Sequence, residues 1–139
     1  MIKDSDRDTL ISYRLDQARN TITEVNTLIE ANLLNIAVNR IYYGMFYCLT
    51  ALALKYGFSS SKHSQLIGWF NKHFIKTGFI DVKYGRMLRD AFKNRTEGDY
   101  VPFVEFDLND VIDMQNDMKD FIRELELYVQ NQYSKSPFI

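Results

Sequence analysis

Apolar residues recur at steps of three and four along most of this chain, and this period limits its fold more than any other feature. The clearest stripes run through Ile11, Leu15, Ala18, Ile22, Val25 and Ile29 near the beginning and through Val111, Met114, Met118, Phe121, Leu125 and Tyr128 near the end. Such spacing puts the apolar side chains on one face of an α-helix. No segment of useful length shows the alternation of a strand, so the sequence predicts an all-α fold.

Between these two helices the sequence predicts three more, from Leu33 to Tyr56, from Ser64 to Phe74 and from Tyr84 to Arg95. The first of the three is apolar on nearly every side, which is typical of a helix at the centre of a bundle or facing a second subunit. Asn32 and Gly57 are expected to mark its two ends, and Gly98 to interrupt the chain after the fourth helix, where Pro102 keeps the connector non-helical. We therefore predict an antiparallel up-and-down bundle of four longer helices and one short helix.

The length of 139 residues suits one domain, and we predict a single domain over residues 1–139 with a frayed tail from about residue 131. The single cysteine, Cys48, lies in an apolar run and excludes an internal disulfide or a cysteine-based zinc site. The longest apolar segment, Ile41 to Leu54, is too short to span a bilayer, and the first residues lack the apolar stretch of a secretory signal. We expect a cytoplasmic protein that does not enter a membrane.

Charge is unevenly distributed although the formal net charge is only −1. Residues 62–95 contain eight Lys or Arg and two Asp, a sum of +6, whereas residues 96–130 contain ten Asp or Glu, one Lys and one Arg, a sum of −8. One interpretation is that helix faces of opposite charge pack together or face water. The other is a basic surface that meets RNA or an acidic partner.

Sequence motifs of common enzymes are missing. The chain lacks a glycine-rich phosphate loop, an HExxH metal motif and a GxSxG nucleophile motif. Neither His63 nor His73 lies three residues after a glutamate, as the Glu-x-x-His pairs of a di-iron bundle require. No cofactor or metal is therefore expected, and the two histidines are interpreted as surface or cap residues.

Three polar residues lie where a helical bundle normally places apolar ones. Asn39 and Arg40 fall within the most apolar helix, beside the stripe residue Ile41. Because an unpaired buried arginine is costly, Arg40 needs either an acidic partner from another helix or a ligand. Arg95, in the stretch NRTEGDY, follows Leu88 by nearly two turns and so lies on the inner side of its helix. It is either a structural clamp or a group that faces phosphate.

The same residues give the chain a resemblance to a known family. The stretches NRIYYGMFY from Asn39 and HSQLIGWFNKHFIKTG from His63, together with the NRTEGDY turn, resemble small stand-alone HEPN domain proteins of bacteria and archaea. The resemblance runs from about Tyr13 to Tyr128. It implies a helical bundle that forms a homodimer and a minimal nucleotidyltransferase as partner in a two-component toxin–antitoxin system.

Many HEPN proteins are metal-independent ribonucleases whose motif is an arginine, often preceded by a polar residue, then four to six residues and a histidine. By this resemblance Asn94 and Arg95 match the start of the motif, but Asp99 and Tyr100 stand where the histidine and a nearby tyrosine would be. In such a motif histidine moves the proton of a ribose hydroxyl and arginine stabilises charge on the phosphate. The resemblance also makes Tyr100 a candidate for adenylylation by the partner.

These observations lead to three hypotheses. The first is a nucleotide- or RNA-binding or interaction component that works beside a nucleotidyltransferase, with Asn39, Arg40, Asn94, Arg95 and Tyr100 lining the cleft. The second is a ribonuclease toxin that uses Arg95 with Asp99, or with a histidine brought near by folding. The third is a structural dimerisation module in which Asn39, Arg40 and Arg95 pair with the acidic last helix.

Overall fold

A computed structural model of the protein describes residues 3–130 and contains five α-helices. These are α1 (Asp4–Glu30), α2 (Leu34–Lys55), α3 (His63–Phe70), α4 (Val82–Tyr100) and α5 (Leu108–Val129). A π-helical turn, Asn71–Ile75, continues α3 directly. No strand occurs within residues 3–130, so the all-α bundle predicted from the periodicity is confirmed. The fraying expected from residue 131 concerns residues outside the described part of the chain.

Helix α2 is the centre of the bundle, as its apolar surface predicts. It contacts α1, α3, α4 and α5, and side chains on several of its faces are fully buried, among them Tyr42, Cys48 and Leu52. Burial of Cys48 agrees with its interpretation as a core residue. Within residues 3–130 no helix combines the length and the apolar composition that crossing a membrane would require.

The predicted turns at Asn32 and Gly57 are confirmed, and both have the same geometry. Each residue has a positive φ, 58° at Asn32 and 80° at Gly57. After α1, the amide of Leu33 donates to the carbonyl of Leu28 at 2.9 Å, and after α2 the amide of Phe58 donates to the carbonyl of Ala53 at 2.8 Å. This pattern is the Schellman motif, which satisfies carbonyls that the end of a helix would otherwise leave without a partner.

The end of α4 differs from the prediction. The sequence places the helix end at Arg95 with an interruption at Gly98, but α4 continues through Gly98 to Tyr100. A β-carbon at Gly98 would lie 2.9 Å from the ring of Phe106, so this glycine makes room for packing rather than for a turn. The helix stops where Val101 takes an extended conformation, as a residue before proline prefers. Asp99 and Tyr100 are therefore helical residues.

Gly44 lies where α2 meets both α1 and α5. A β-carbon at this position would lie 3.1 Å from the Sδ of Met118 and 3.1 Å from the Cγ2 of Thr21. We expect Gly44→Val to lower the free energy of unfolding by about 1–3 kcal/mol, because the added methyl groups overpack this crossing. Urea unfolding followed by circular dichroism measures the change.

Gly68 provides the matched control for this experiment, since it is also helical but a β-carbon there would meet nothing within 4 Å. Gly68→Ala should raise the stability by up to about 1 kcal/mol, through helix propensity alone. Wild-type stability in Gly44→Val would contradict the tight packing of Gly44 against Thr21 and Met118.

Candidate functional site

Arg95 lies on the inner side of α4, as its spacing from Leu88 predicts. Its side chain is only 16% exposed, and Nη2 donates a hydrogen bond to the hydroxyl of Tyr43 on α2 at 3.1 Å. The guanidinium carbon lies 5.3 Å from the centre of the Tyr43 ring and 5.8 Å from that of Tyr42. These distances allow cation–π attraction, so two adjacent aromatic residues of α2 stabilise the cation at the seam.

Asp99 connects the arginine to α2. Its Oδ2 lies 3.1 Å from the Nε of Arg95 as an ion pair. The same oxygen accepts a hydrogen bond from the side-chain amide, Nδ2, of Asn39 at 3.0 Å. The pairing depends on the extended α4, because residues four apart share a helix face. The Nε of Arg95 is buried and makes no hydrogen bond, although it lies 3.1 Å from Asp99, so the guanidinium keeps donor capacity for a ligand.

Arg40 has the acidic partner that its position in α2 requires. Its Nε lies 2.6 Å from the Oε1 of Glu24 on α1, and Nη2 donates to the hydroxyl of Tyr47 at 3.5 Å. The prediction of an ion pair to another helix is thus confirmed. The third hypothesis was wrong about the partners, because within residues 3–130 Asn39, Arg40 and Arg95 pair with Asp99 and Glu24 rather than with α5. The carboxylate partners of the two arginines are Glu24 on α1 and Asp99 on α4.

Folding brings His63 to the same place. Its Nδ1 lies 2.8 Å from the hydroxyl oxygen of Tyr42, and its ring is stacked on Phe46 with the ring centres 3.9 Å apart. The centre of the imidazole is 5.9 Å from that of Tyr43, which also contacts Arg95. Because α3 begins at His63, the start of that helix supplies a histidine that the linear motif lacks.

The surroundings favour the neutral form of this histidine. Burial lowers the pKa of His63, and the positive charge of Arg95 lowers it further. Burial also raises the pKa of the Tyr42 hydroxyl, which remains a phenol at physiological pH. The hydrogen bond to Tyr42 occupies Nδ1, so Nε2 is the nitrogen that can exchange a proton with a ligand.

We call the group Asn39, Tyr42, Tyr43, His63, Arg95 and Asp99 the Arg95 cluster. Tyr100 lies at its edge: the side chain is exposed, and the Arg95 guanidinium carbon is 5.9 Å from the ring centre. Asn94 lies elsewhere, with its amide 3.8 Å from the Sδ of Met114 on α5. His73 lies beside Trp69, with ring centres 5.8 Å apart. Of the predicted binding residues, only Asn94 is outside this region.

Sequence reasoning missed Tyr42, Tyr43 and the specific role of His63. A signal existed for the tyrosines, since they follow Asn39 and Arg40 by a single turn. No local signal pairs His63 with Arg95, because 32 residues separate them and only the packing of α3 against α2 joins them.

Among residues 3–130 no group of three or more His, Cys, Asp or Glu could hold a metal ion. A cavity of about 560 Å³ near Arg7, Lys55 and Val129 contains none of the cluster.

The fold and the cluster define an all-helical protein with an arginine-centred polar cluster between its helices, and comparison with known proteins gives its family. The family model for the HEPN domain matches residues 11–128, and the chain belongs to this family. A "UPF0332 protein" of Thermotoga maritima is 36% identical over 122 residues, which cover 88% of this chain and 87% of that protein. A Methanocaldococcus jannaschii protein named "Putative toxin" is 34% identical over 91 residues, or 66% of this chain and 62% of its own length.

The lowered pKa of His63 predicts how stability depends on pH. Below the pKa of about 6.5 of an unfolded histidine, the unfolded chain binds a proton more readily than the folded chain does, so this residue destabilises the fold as pH falls. We expect His63→Gln to lose less stability than the wild type between about pH 7.5 and about pH 5.5. Urea unfolding at both pH values measures the difference. An equal loss in His63→Gln and the wild type would contradict the prediction.

Proposed function

We propose that this HEPN protein binds the phosphate of a nucleotide or RNA in the Arg95 cluster and acts as one component of a toxin–antitoxin-like system. The observation that carries the proposal is the partly buried guanidinium of Arg95, held by Tyr43 and Asp99, with a buried Nε that makes no hydrogen bond. The toxin name of the archaeal relatives supports the toxin-like role. By its resemblance to small HEPN proteins, the partner is a minimal nucleotidyltransferase and the protein forms a homodimer.

A phosphate would replace Asp99 as the partner of Arg95. The two residues form an ion pair four apart at the last turn of a helix, with the Asp99 side chain 28% exposed, and the buried Nε of Arg95 makes no hydrogen bond across this pair. A phosphate accepts two parallel hydrogen bonds from a guanidinium and binds more strongly. The exposed ring of Tyr100 offers a surface on which a base can stack.

Arg40 and Tyr100 border the proposed binding site. The guanidinium carbon of Arg40 lies 5.6 Å from the ring centre of Tyr43, so a second arginine, itself paired with Glu24, borders the same tyrosine as Arg95. The Tyr100 side chain is 71% exposed, which gives the partner nucleotidyltransferase access to its hydroxyl for modification. Asn39 hydrogen-bonds Asp99 and becomes available to the ligand when that carboxylate moves.

Replacement of Arg95 tests the binding proposal. We expect Arg95→Ala to weaken binding of ATP or a short RNA about tenfold to a hundredfold, because a hydrogen bond to a charged group contributes about 1.5–3 kcal/mol. Fluorescence anisotropy at several salt concentrations measures the affinity, and the slope with salt should decrease in the variant. Arg123→Ala on α5 removes the same charge at an exposed site and should leave binding unchanged. A lower melting temperature with unchanged binding would show that Arg95 is only a structural clamp.

A second function, ribonuclease activity without a metal, is favoured by the position of His63. In that reaction Nε2 of neutral His63 accepts the proton of a ribose 2′-hydroxyl, whose oxygen attacks the adjacent phosphorus. The bond from phosphorus to the 5′-oxygen breaks, and the leaving oxygen takes up the proton that His63 has accepted, which restores the neutral imidazole. Arg95 stabilises the negative charge on the phosphate oxygens. The Asp99 carboxylate accepts the hydrogen bond of Asn39 and pairs with Arg95, so in this reaction it orients both side chains.

His63→Gln separates cleavage from binding. If the protein is a ribonuclease, its expression should arrest growth, and His63→Gln should relieve the arrest and lower the cleavage rate by about a hundredfold or more, since general acid–base catalysis contributes about 10²–10⁴. The purified variant should still bind RNA through Arg95. His73→Gln is the matched control and should remain as active as the wild type. Normal growth with no cleavage by the wild-type protein would overturn the ribonuclease function and leave the binding proposal standing.

A further inference from the structure

A groove separate from the Arg95 cluster runs between α3, with its π-helical turn, and the first half of α4. It encloses about 530 Å³. Its floor is apolar, formed by Ile67 and Ile75 on one side and by Val82 and Phe92 on the other, while Arg86 and Arg89 lie on the α4 side. Val82, Arg86, Arg89 and Phe92 are spaced by three or four residues, so α4 presents them on one face. An apolar floor with cations on one wall is typical of a surface that binds an amphipathic segment.

The cations of this groove have no adequate partners within the described chain. Arg86 makes no ion pair to any residue in 3–130, and Arg89 pairs only with its sequence neighbour Asp90, at 3.3 Å and with both side chains exposed. Residues 62–95, which include both walls, contain eight Lys or Arg against two Asp. The groove therefore has an excess of positive charge that the acidic α5 does not neutralise there.

Gly68 leaves open space on one wall of the groove. It lies within α3 and lines the groove, and a β-carbon there would meet nothing within 4 Å. Glycine inside a helix costs about 0.5–1 kcal/mol of stability relative to alanine, and neither the backbone nor the packing of this chain requires a glycine at position 68. Gly85, on the other wall, differs, because a β-carbon there would lie 3.3 Å from Ile75. The space left by the absent side chain of Gly68 is open to a molecule that approaches the groove from outside.

We propose that this groove binds an acidic amphipathic helix of a partner protein. The apolar side chains of the bound helix cover Ile67, Ile75 and Val82, and its carboxylates pair with Arg86 and Arg89. The backbone of that helix passes closely over Gly68. The floor favours a protein over RNA, because single-stranded RNA needs exposed aromatic rings, whereas the Phe92 ring is half-buried and packs edge-on against Tyr42 with centres 5.4 Å apart. That contact also places one end of the groove beside the Arg95 cluster. The proposal does not depend on phosphate binding by Arg95.

The test uses a displayed library of amphipathic helices whose polar faces range from acidic to basic. We expect the full-length protein to select helices with acidic residues flanking an apolar stripe. Gly68→Trp should abolish binding of a labelled selected helix, because the indole would occupy the groove, and the β-carbon that carries it meets nothing within 4 Å. Gly68→Ala is the control for folding, and circular dichroism should show both variants to be helical.

A charge reversal tests the role of the arginines. The double variant Arg86→Glu and Arg89→Glu should bind the acidic helix at least about tenfold more weakly, and a helix with lysines in place of the carboxylates should regain affinity. Selection of neutral or basic helices by the wild type, or binding that Gly68→Trp leaves intact, would overturn the proposal. So would Gly68→Trp dissociating a wild-type dimer in analytical ultracentrifugation, or abolishing RNA binding, because the occupant would then be a second copy or RNA.

Discussion

Burial of α2 on nearly every side is the constraint on which the rest of the structure depends. Helices α1, α3, α4 and α5 all pack against it, so each polar group of α2 must find a partner inside the bundle or at its seams. Asn39, Arg40, Tyr42 and Tyr43 follow one another within little more than a turn and meet this requirement through α1, α3 and α4. The Arg95 cluster is thus the place where the central helix satisfies its polar residues, and a ligand there would compete with contacts that also stabilise the fold.

The length of α4 determines which residues can act with Arg95. If the helix ended at Arg95, Asp99 and Tyr100 would belong to a loop, and nothing would fix their distance from the guanidinium. Because Gly98 makes room for the Phe106 ring, the helix continues and Asp99 lies on the same face as Arg95. The carboxylate then neutralises an arginine that is 16% exposed. A single glycine, read locally as a stop, is instead the residue that lets the site assemble.

The fold could be predicted from the sequence because the bundle is encoded by a period that repeats over whole helices, and the turns at Asn32 and Gly57 by residues that accept a positive φ. Arg95 could be placed on the inner side for the same reason. Gly98 could not be interpreted locally, since its role depends on a ring that lies eight residues further along the chain. His63 could not be paired with Arg95 either, because the contact depends on how α3 packs on α2. Periodicity defines faces of helices but not which faces meet.

The charge balance of the Arg95 region connects the two candidate functions. Arg40 and Arg95 are offset by Glu24 and Asp99, and in this state both burial and the nearby cation lower the pKa of His63. A phosphate that enters beside Arg95 adds negative charge close to the imidazole, and an anion at short range favours the protonated form of histidine. If phosphate binds there as proposed, ligand binding and proton uptake by His63 would be coupled, and by linkage the affinity for phosphate would rise as pH falls through the pKa of His63. The same coupling suits a catalytic histidine, which must be neutral before it accepts the ribose proton and charged when the leaving oxygen needs one.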